Sequence, residues 1–327
     1  MYQCELCSSI TEEELMVNKI SGLSFNEINY QLEFKKVNVC RVCLKKLHCG
    51  NCHSQYKIFL DVDNNVLCPT HKLNAMVYCP NCKEKKKYRH VYMGSCYPRI
   101  QNYWYKPSPK FKGKDDLYFG VELEVGGAKS KFNILNFMKD VKKNTDLLYF
   151  KRDGSIRNHG VEAVSHPATY EFHKNSDSWI KVFESLQINK IPEDPSCGLH
   201  FHVSKKTLTN KQIACIDAFV NTQDEFIHEM AGRELNKFCQ KVVKEINNWG
   251  SAPSTFFGSG RYTSINLTNP NTIEYRIFAS TNNYEIFMKR LKFVKDLTLC
   301  CRNTELSEIL ENKKILNRFK EFSEQTS

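Results

Sequence analysis

Most cysteines of this chain lie near its N-terminus. Ten of the 15 cysteines in 327 residues fall within the first 96 positions, mostly as pairs separated by two residues. Two thiolates at this spacing can bind one metal ion from a tight turn. The N-terminus, "MYQCELCSSITEEEL", lacks the pattern of a secretory signal, so zinc is favoured over disulfide bonds. The pattern predicts a zinc-stabilised module over residues 1–97.

The candidate zinc ligands form six pairs along this module. Four ligands per ion would give three tetrahedral sites, and the simplest arrangement joins neighbouring pairs. A cross-braced arrangement, in which alternate pairs share an ion, is the alternative, and His48 or His53 could substitute for a ligand. The pairs are Cys4/Cys7, Cys40/Cys43, Cys49/Cys52, Cys68/His71, Cys79/Cys82 and His90/Cys96.

The role of such a module is open, because closed four-ligand zinc sites are structural and can support nucleic-acid binding, protein binding or folding alone. The run "CKEKKKYRH" and the stretch "YPRIQNYWYKPSPKFKGK" could contact phosphates and stack bases, or form a solvated hairpin and a linker. Pro107 and Pro109 among lysines predict a basic linker over residues 98–114.

The composition of the whole chain limits which classes of function are plausible. A hydrophobic content of 41% is ordinary for a globular protein, and the net charge of +11 favours an anionic partner such as a nucleotide or nucleic acid. No stretch of about 18 apolar residues occurs. We therefore expect a soluble, cytoplasmic protein without a membrane partner.

The stretch "FGVELEV" carries two glutamates on one side of a predicted strand. Successive side chains of a strand point to opposite faces, so Glu122 and Glu124 share one face while Phe119, Val121 and Leu123 share the other. A pair of carboxylates on one face needs water, a basic group or a cation to balance its charge.

Other predicted strands repeat this design, with one apolar face and one face that carries ionisable groups. If these faces belong to one sheet, they line a polar surface that suits a hard divalent cation and its nucleotide. The residues are His200 and His202 in "CGLHFHVS", Glu274 and Arg276 in "TIEYRIF", Glu162 in "GVEAVSHP", Asp153 in "RDGSI" and Arg261 in "RYTSINL".

Helical patterns separate these strands without regular alternation. Apolar residues recur at helical spacing from Phe132 to Val141, from Ile213 to Ile227 after a capping Thr209, and from about Asn283 onward. The order favours an α+β fold with a mostly antiparallel sheet, one concave polar face and helices on the other side. We expect this domain over residues 115–303 and a helical tail over residues 304–327.

The segments "FGVELEV", "RDGSI", "GVEAVSHPA", "CGLHFHVS", "RYTSINL" and "TIEYRIF", in this order, resemble the amidoligase family of ATP-dependent carboxylate-amine ligases. These enzymes share the glutamine synthetase-like catalytic fold, and the likeness covers about residues 115–301. The N-terminal zinc module is not part of that fold. Such ligases often occur in bacterial and viral genomes, so the resemblance suggests a bacterial or phage-infected cell.

The resemblance implies a role for each matching residue. Glu122 and Glu124 would hold different metal ions, with Glu162 as a further ligand and His200 touching both metal and nucleotide phosphate. His202 either joins this site or is a hydrogen-bonded core histidine. The remaining implied roles are metal binding for Glu274, phosphate contacts for Arg276 and Arg261, and metal or amine-substrate binding for Asp153.

The implied reaction forms an amide or isopeptide bond through an acyl phosphate, with Mg²⁺-ATP on the polar face and no covalent protein nucleophile. The carboxylate and amine substrates could be small molecules, peptides or proteins. One alternative is a zinc protein that binds nucleic acid or protein and has a non-catalytic C-terminal scaffold. Another is metal-dependent phosphoester hydrolysis by the same residues.

Overall fold

The computed structural model describes residues 1–25, 29–55, 57–80, 82–92, 97–157, 159–241, 260–304 and 313–325. Its residues group into two compact units. The first is Met1–Pro98 with Ser130–Leu135, and the second is Arg99–Lys129 with Asn136–Ser327.

The first unit is built from short strands around a long hairpin. Strands β3 and β4 form this antiparallel hairpin, β5 joins β3 in parallel, and β6 pairs with β5. The strands are β1 (Tyr2–Gln3), β2 (Ile10–Thr11), β3 (Met16–Phe25), β4 (Tyr30–Asn38), β5 (Phe59–Leu60), β6 (Val66–Leu67), β7 (Met76–Tyr78) and β8 (Lys85–Lys87). The helices are α1 (Arg41–Lys46), a 3-10 helix (Pro69–Asn74) and α2 (Tyr88–Tyr92).

Cysteines take part in both small cores of this unit. Cys4 and Cys40 are buried with aliphatic side chains such as Val39. Cys49 and Cys68 are buried in a separate group. A unit of this size buries little apolar surface, so bound metal would add substantially to its stability.

The second unit contains a six-stranded sheet in the order β10-β11-β9-β12-β14-β13. Every neighbouring pair is antiparallel. The strands are β9 (Phe119–Val125), β10 (Leu148–Lys151), β11 (Val161–Ser165), β12 (Gly198–Ser204), β13 (Ile265–Asn266) and β14 (Thr272–Ala279). The predicted α+β class with antiparallel pairing is confirmed.

Helices cover the apolar face of this sheet. Phe201 of β12 packs against Phe287 with ring centroids 5.8 Å apart, and Trp179 lies 4.4 Å from the same ring. Phe150 of β10 packs on Phe137 in the same way. The helices are α3 (Lys131–Asn144), which belongs to this unit from Asn136 onward, α4 (Tyr170–Asn175), α5 (Ser178–Ile188), α6 (Asn210–Thr222), α7 (Asp224–Ala231), α8 (Tyr284–Arg302) and α9 (Lys313–Gln325).

The helix ends follow the capping signals. Thr209 caps α6 in a reciprocal pair with Gln212, and the Asn283 side chain accepts from the first amides of α8. The run predicted as one helix through Ile227 is two helices, because the chain leaves helical geometry at Gln223.

The segment predicted as a basic linker is hydrogen-bonded to the second unit. The Gln101 amide donates to Phe150 O and the Arg152 amide donates to Gln101 O, both at 2.9 Å. Further along, the Lys112 amide donates to Pro167 O at 3.0 Å. Residues 101–105 therefore run beside β10, at the edge of the sheet.

Candidate functional site

Two clusters of sulfur and nitrogen ligands form in the first unit. One contains Cys4, Cys7, Cys40 and Cys43, and the other contains Cys49, Cys52, Cys68 and His71, with ligand atoms within 4.8 Å of one another in each cluster. Neighbouring pairs share a cluster, so the structure has the sequential arrangement and not the cross-braced one.

The spacing within each cluster suits a tetrahedral zinc ion. Cys7 Sγ lies 3.7 Å from Cys40 Sγ, and Cys52 Sγ lies 3.6 Å from Cys68 Sγ. Four sulfurs at about 2.3 Å from one ion are separated by roughly 3.8 Å, whereas a disulfide bond is about 2 Å long. Both clusters could hold zinc.

Local hydrogen bonds favour the thiolate form that zinc requires. Burial alone would raise the pKa of Cys4, but amide hydrogen bonds from Cys40, Leu6 and Cys7 lower it to about 6. Hydrogen bonds from the His71 amide, from the thiols of Cys52 and Cys49 and from the Thr70 amide likewise outweigh burial and lower the pKa of Cys68 to about 7. Each cluster therefore contains a cysteine ready to bind a cation.

The third predicted site has one preformed half. In the turns that begin at Cys4, Cys49 and Cys79, the carbonyl of that cysteine accepts a hydrogen bond from the amide four positions on, at 2.8 to 2.9 Å. The residues that donate, Ser8, His53 and Lys83, have positive φ of 58°, 58° and 61°. The hydrogen bond to the Cys79 carbonyl and the positive φ of Lys83 thus match those of the two turns that contribute to four-ligand clusters.

The complete third site, however, is not formed among the described residues. Cys79 and Cys82 belong to neither of the two ligand clusters found among the described residues. Cys82 Sγ donates to Glu84 Oε2 at 3.7 Å. Of the predicted partners, His90 lies in α2 and is exposed, and Cys96 lies outside the described residues. The predicted site that combines Cys79 and Cys82 with His90 and Cys96 therefore stays a prediction, because one of its four ligands lies outside the described residues.

The two histidines considered as substitute ligands are exposed. The rings of His48 and His53 lie 5.1 Å apart. Neither residue belongs to a ligand cluster in the described part of the first unit.

Strand register gathers the predicted polar residues on one face of the second unit's sheet. Glu162 of β11 lies opposite Glu124, and His200 of β12 lies opposite Glu122. On the other side of β12, His202 lies opposite Glu274 of β14. These predicted residues therefore come from four neighbouring strands. Asp153 joins them from the turn that follows β10.

These residues form three overlapping groups whose ligand atoms lie within 4.8 Å of one another. Glu122 and Glu162 each belong to two groups, so one carboxylate could serve two ions. The groups are Glu122, Glu162 and His200; Glu122, His202 and Glu274; and Glu124, Asp153 and Glu162.

Two imidazole nitrogens of these groups are buried without a hydrogen-bond partner. Within the described part of the chain, these are His200 Nδ1 and His202 Nε2. His200 Nδ1 lies 3.6 Å from Glu122 Oε2, and His202 Nε2 lies 3.5 Å from Glu122 Oε1. A buried polar atom without a partner is costly, and a cation among these lone pairs would remove that cost. The residues therefore fit a bound divalent ion.

Charge is divided unequally between the two carboxylates at the centre of this face. Burial raises the pKa of Glu162 to about 9, with repulsion from Glu122 adding to the effect. Burial would also raise the pKa of Glu122, but the positive charges of His202 and Lys151 and the close approach of both imidazoles hold it well below its ordinary value. Without a cation, Glu162 is the carboxyl that stays protonated near neutral pH.

Lys151 completes this face and was missed in the sequence analysis. Its Nζ lies 2.8 Å from Glu162 Oε2 and 3.6 Å from Glu122 Oε1. The alternation in "LYFK", with Leu148 and Phe150 buried, places this lysine on the polar face. That alternation is the sequence signal for this lysine.

The two predicted phosphate-binding arginines have protein partners. Arg276 Nη1 contacts Glu274 Oε1, and its Nε donates to Phe238 O at 3.2 Å. Arg261 Nη2 donates to Tyr103 OH at 2.8 Å, and the Tyr103 ring lies 5.8 Å from Lys151 Nζ. Tyr103, which the sequence analysis did not select, thus links Arg261 to the polar face.

Backbone features hold two of the ligands in place. The Gly198 amide donates to Glu124 Oε2 at 2.6 Å. A Cβ at Gly198 would lie 2.7 Å from His200 Nε2, so the imidazole position requires glycine here. Asn266 Nδ2 donates to Glu274 Oε2 at 2.6 Å and orients that carboxylate.

In the part of the chain that the structure describes, no helix is both long and apolar enough to cross a membrane. Comparisons of the sequence with protein-family models and with curated proteins gave no match.

Proposed function

We propose that the second unit is an ATP-dependent carboxylate-amine ligase that binds Mg²⁺-ATP on the polar face of its sheet. The observation that carries the proposal is the set of three overlapping ligand groups that share Glu122 and Glu162. The resemblance of the sequence segments around these residues to amidoligases supplies the reaction class. In the first unit, the two cysteine clusters would hold structural zinc.

The donor atoms separate the two kinds of metal. Carboxylate oxygens with a minority of imidazole nitrogens suit a hard ion such as Mg²⁺, whereas cysteine sulfur selects zinc. Divalent ions held by the carboxylates would neutralise phosphate oxygens of ATP and make its γ-phosphorus more electrophilic.

The reaction needs positioning and charge stabilisation more than covalent catalysis. A carboxylate oxygen of one substrate attacks the γ-phosphorus, and ADP leaves. The amine of the second substrate then attacks the acyl carbon, phosphate leaves, and the nitrogen loses a proton.

Protein cations would contribute beside the polar face. Arg276 has Nε and Nη1 engaged, so its Nη2 is the group available to a phosphoryl oxygen. Arg261, held in place by its hydrogen bond to Tyr103 OH, would also contact phosphate. Lys151 would exchange its carboxylate partners for substrate or phosphate oxygens once cations occupy the ligand groups.

Hydroxylamine trapping tests the proposal. Zinc-loaded protein with ATP, Mg²⁺, hydroxylamine and a pool of carboxylates should yield hydroxamate and ADP together. Glu122→Gln and Glu274→Gln should each abolish both products. Glu184→Gln, at an exposed residue of α5 paired with Lys181, is the matched control and should retain activity.

Three outcomes would contradict the proposal. Hydroxamate formation that survives both substitutions would remove the site assignment. Phosphoester cleavage without ATP would indicate a metal-dependent hydrolase. Tight, salt-dependent nucleic-acid binding without any ATP turnover would favour a binding protein with a non-catalytic second unit.

A further inference from the structure

A cavity of about 830 Å³ lies at the β10 edge of the sheet in the second unit. Its walls include Tyr105, Tyr149, Lys110, Lys143 and His166. The volume is within the range of small-molecule sites. None of these residues belongs to the three ligand groups on the polar face.

The cavity carries uncompensated positive charge. Lys110, Lys142 and Lys143 all line it, and among the described lining residues the one carboxylate, Asp146, is bound by Lys112 at 3.0 Å. Lys142 Nζ donates to a backbone carbonyl and has no carboxylate within salt-bridge distance among the described residues. Partial burial and the nearby charge of Lys110 lower the pKa of Lys142 more than the charge of Asp146 raises it.

His166 provides a directed hydrogen-bond donor in the same wall. Its Nδ1 accepts from the Lys110 amide at 3.4 Å, so the proton of the neutral ring is on Nε2. Burial and the charges of Lys110 and Lys142 lower its pKa and keep the ring neutral. The ring is buried and packs 5.7 Å from the Tyr149 ring.

Strand β10 joins this cavity to the polar face. Tyr149 and Lys151 are two residues apart and point to the same side of the strand. Tyr149 lines the cavity, while Lys151 contacts Glu162 in the ligand groups. Two residues of strand span roughly 6 to 7 Å. A small molecule could therefore reach both places at once.

We propose that this cavity binds an oxyanion, a carboxylate or phosphate group, on the carboxylate substrate of the ligase. The identification of this oxyanion as part of the carboxylate substrate rests on the proposed function. The lysines neutralise this oxyanion, and His166 Nε2 donates one hydrogen bond to it. The reacting carboxylate of the same substrate lies on the polar face. The enzyme then selects acids that carry a second negative group.

Lysine acetylation read by mass spectrometry tests the anion site without turnover. The full-length, zinc-loaded protein is labelled in metal-depleted buffer without ATP, alone or with pyrophosphate or citrate. We expect labelling of Lys110 and Lys143 to slow at least about fivefold, with Lys174 and Lys211 unchanged as exposed controls. Stronger protection by pyrophosphate identifies a phosphate ligand, and stronger protection by citrate a carboxylate. Equal labelling with and without both anions overturns the site.

The link to the substrate is tested with paired variants. Lys110→Met with Lys143→Met should raise KM for tricarballylate at least about tenfold in the hydroxamate assay and leave KM for acetate unchanged. Lys174→Met with Lys211→Met should change neither. Equal changes for both acids, or no change, would overturn the substrate assignment. Absence of hydroxamate from every acid refutes the ligase itself, whereas the labelling result still decides whether the anion site exists.

Discussion

The most informative perturbation is Glu162→Gln, which removes a buried ionisable group and keeps the shape of the side chain. Glu162 is 2% exposed. Burial and repulsion from Glu122 raise its pKa from 4.5 to about 9. At pH 7 the carboxyl must take up a proton about 2.5 pH units above its ordinary pKa, which costs about 3 kcal/mol at 1.36 kcal/mol per unit.

The sign of the pH dependence follows from the raised pKa. The folded state binds this proton more tightly than the unfolded state, so the contribution to stability is full below pH 4.5 and is lost as pH rises to about 9. Metal-depleted wild-type protein should therefore lose stability across this window. The glutamine variant should not show this component, and Lys151 keeps Glu122 as a partner at 3.6 Å.

Calorimetry and metal titration together check this reasoning. At pH 7 without added Mg²⁺, the variant should unfold about 6 to 12 °C above the wild type, since 1 kcal/mol corresponds to about 2 to 4 °C in a domain of this size. Mn²⁺ binding, followed by electron paramagnetic resonance, should weaken roughly tenfold or more. A variant that is less stable than wild type throughout pH 6 to 9, or whose stability has the same pH slope, would refute the reasoning. It would show that Glu162 is not a buried carboxyl whose ionised form is stabilised by metal.

Other substitutions give separate tests. Gly198→Ala should weaken Mn²⁺ binding about tenfold because the new methyl displaces His200, whereas Gly154→Ala, with no atom within 4 Å of its added Cβ, should not. Cys68→Ser should remove one zinc ion by elemental analysis and leave the ion of the four-cysteine cluster bound. Tyr103→Phe should raise KM for ATP severalfold with little change in kcat, because it deletes the hydroxyl that accepts from the guanidinium but keeps the ring.

Local alternation predicted the polar face well. Because neighbouring side chains of a strand alternate, "FGVELEV" and "CGLHFHVS" each indicated which residues share a face. The structure places Glu122, Glu162, His200 and Glu274 together as those patterns suggested. Whether the face belongs to a glutamine synthetase-like ligase stays a prediction.

Long-range pairing decided what alternation could not. Register places Lys151 opposite Glu162, and Asn266 opposite Glu274. The prolines and lysines of residues 98–114 predicted a linker. Backbone hydrogen bonds, however, hold this segment beside β10 and bring Tyr103 to Arg261. These contacts join residues far apart in the chain.

In the first unit, cysteine spacing likewise predicted local turns but not the distant ligands that complete a metal site. The spacing of Cys79 and Cys82 predicted a turn, and the turn is present. The same spacing could not show which second ligand pair completes a site with Cys79 and Cys82. Such a pair must come from a distant segment, whose position depends on tertiary packing.

The sequence by itself determined which side chains share a face and which cysteines form ligand turns, because both depend on backbone geometry over a few residues. Only the tertiary structure decided which pairs share a cluster, how the carboxylates overlap, and which lysine balances them. Strand order and register set those relations, and they depend on packing over the whole unit.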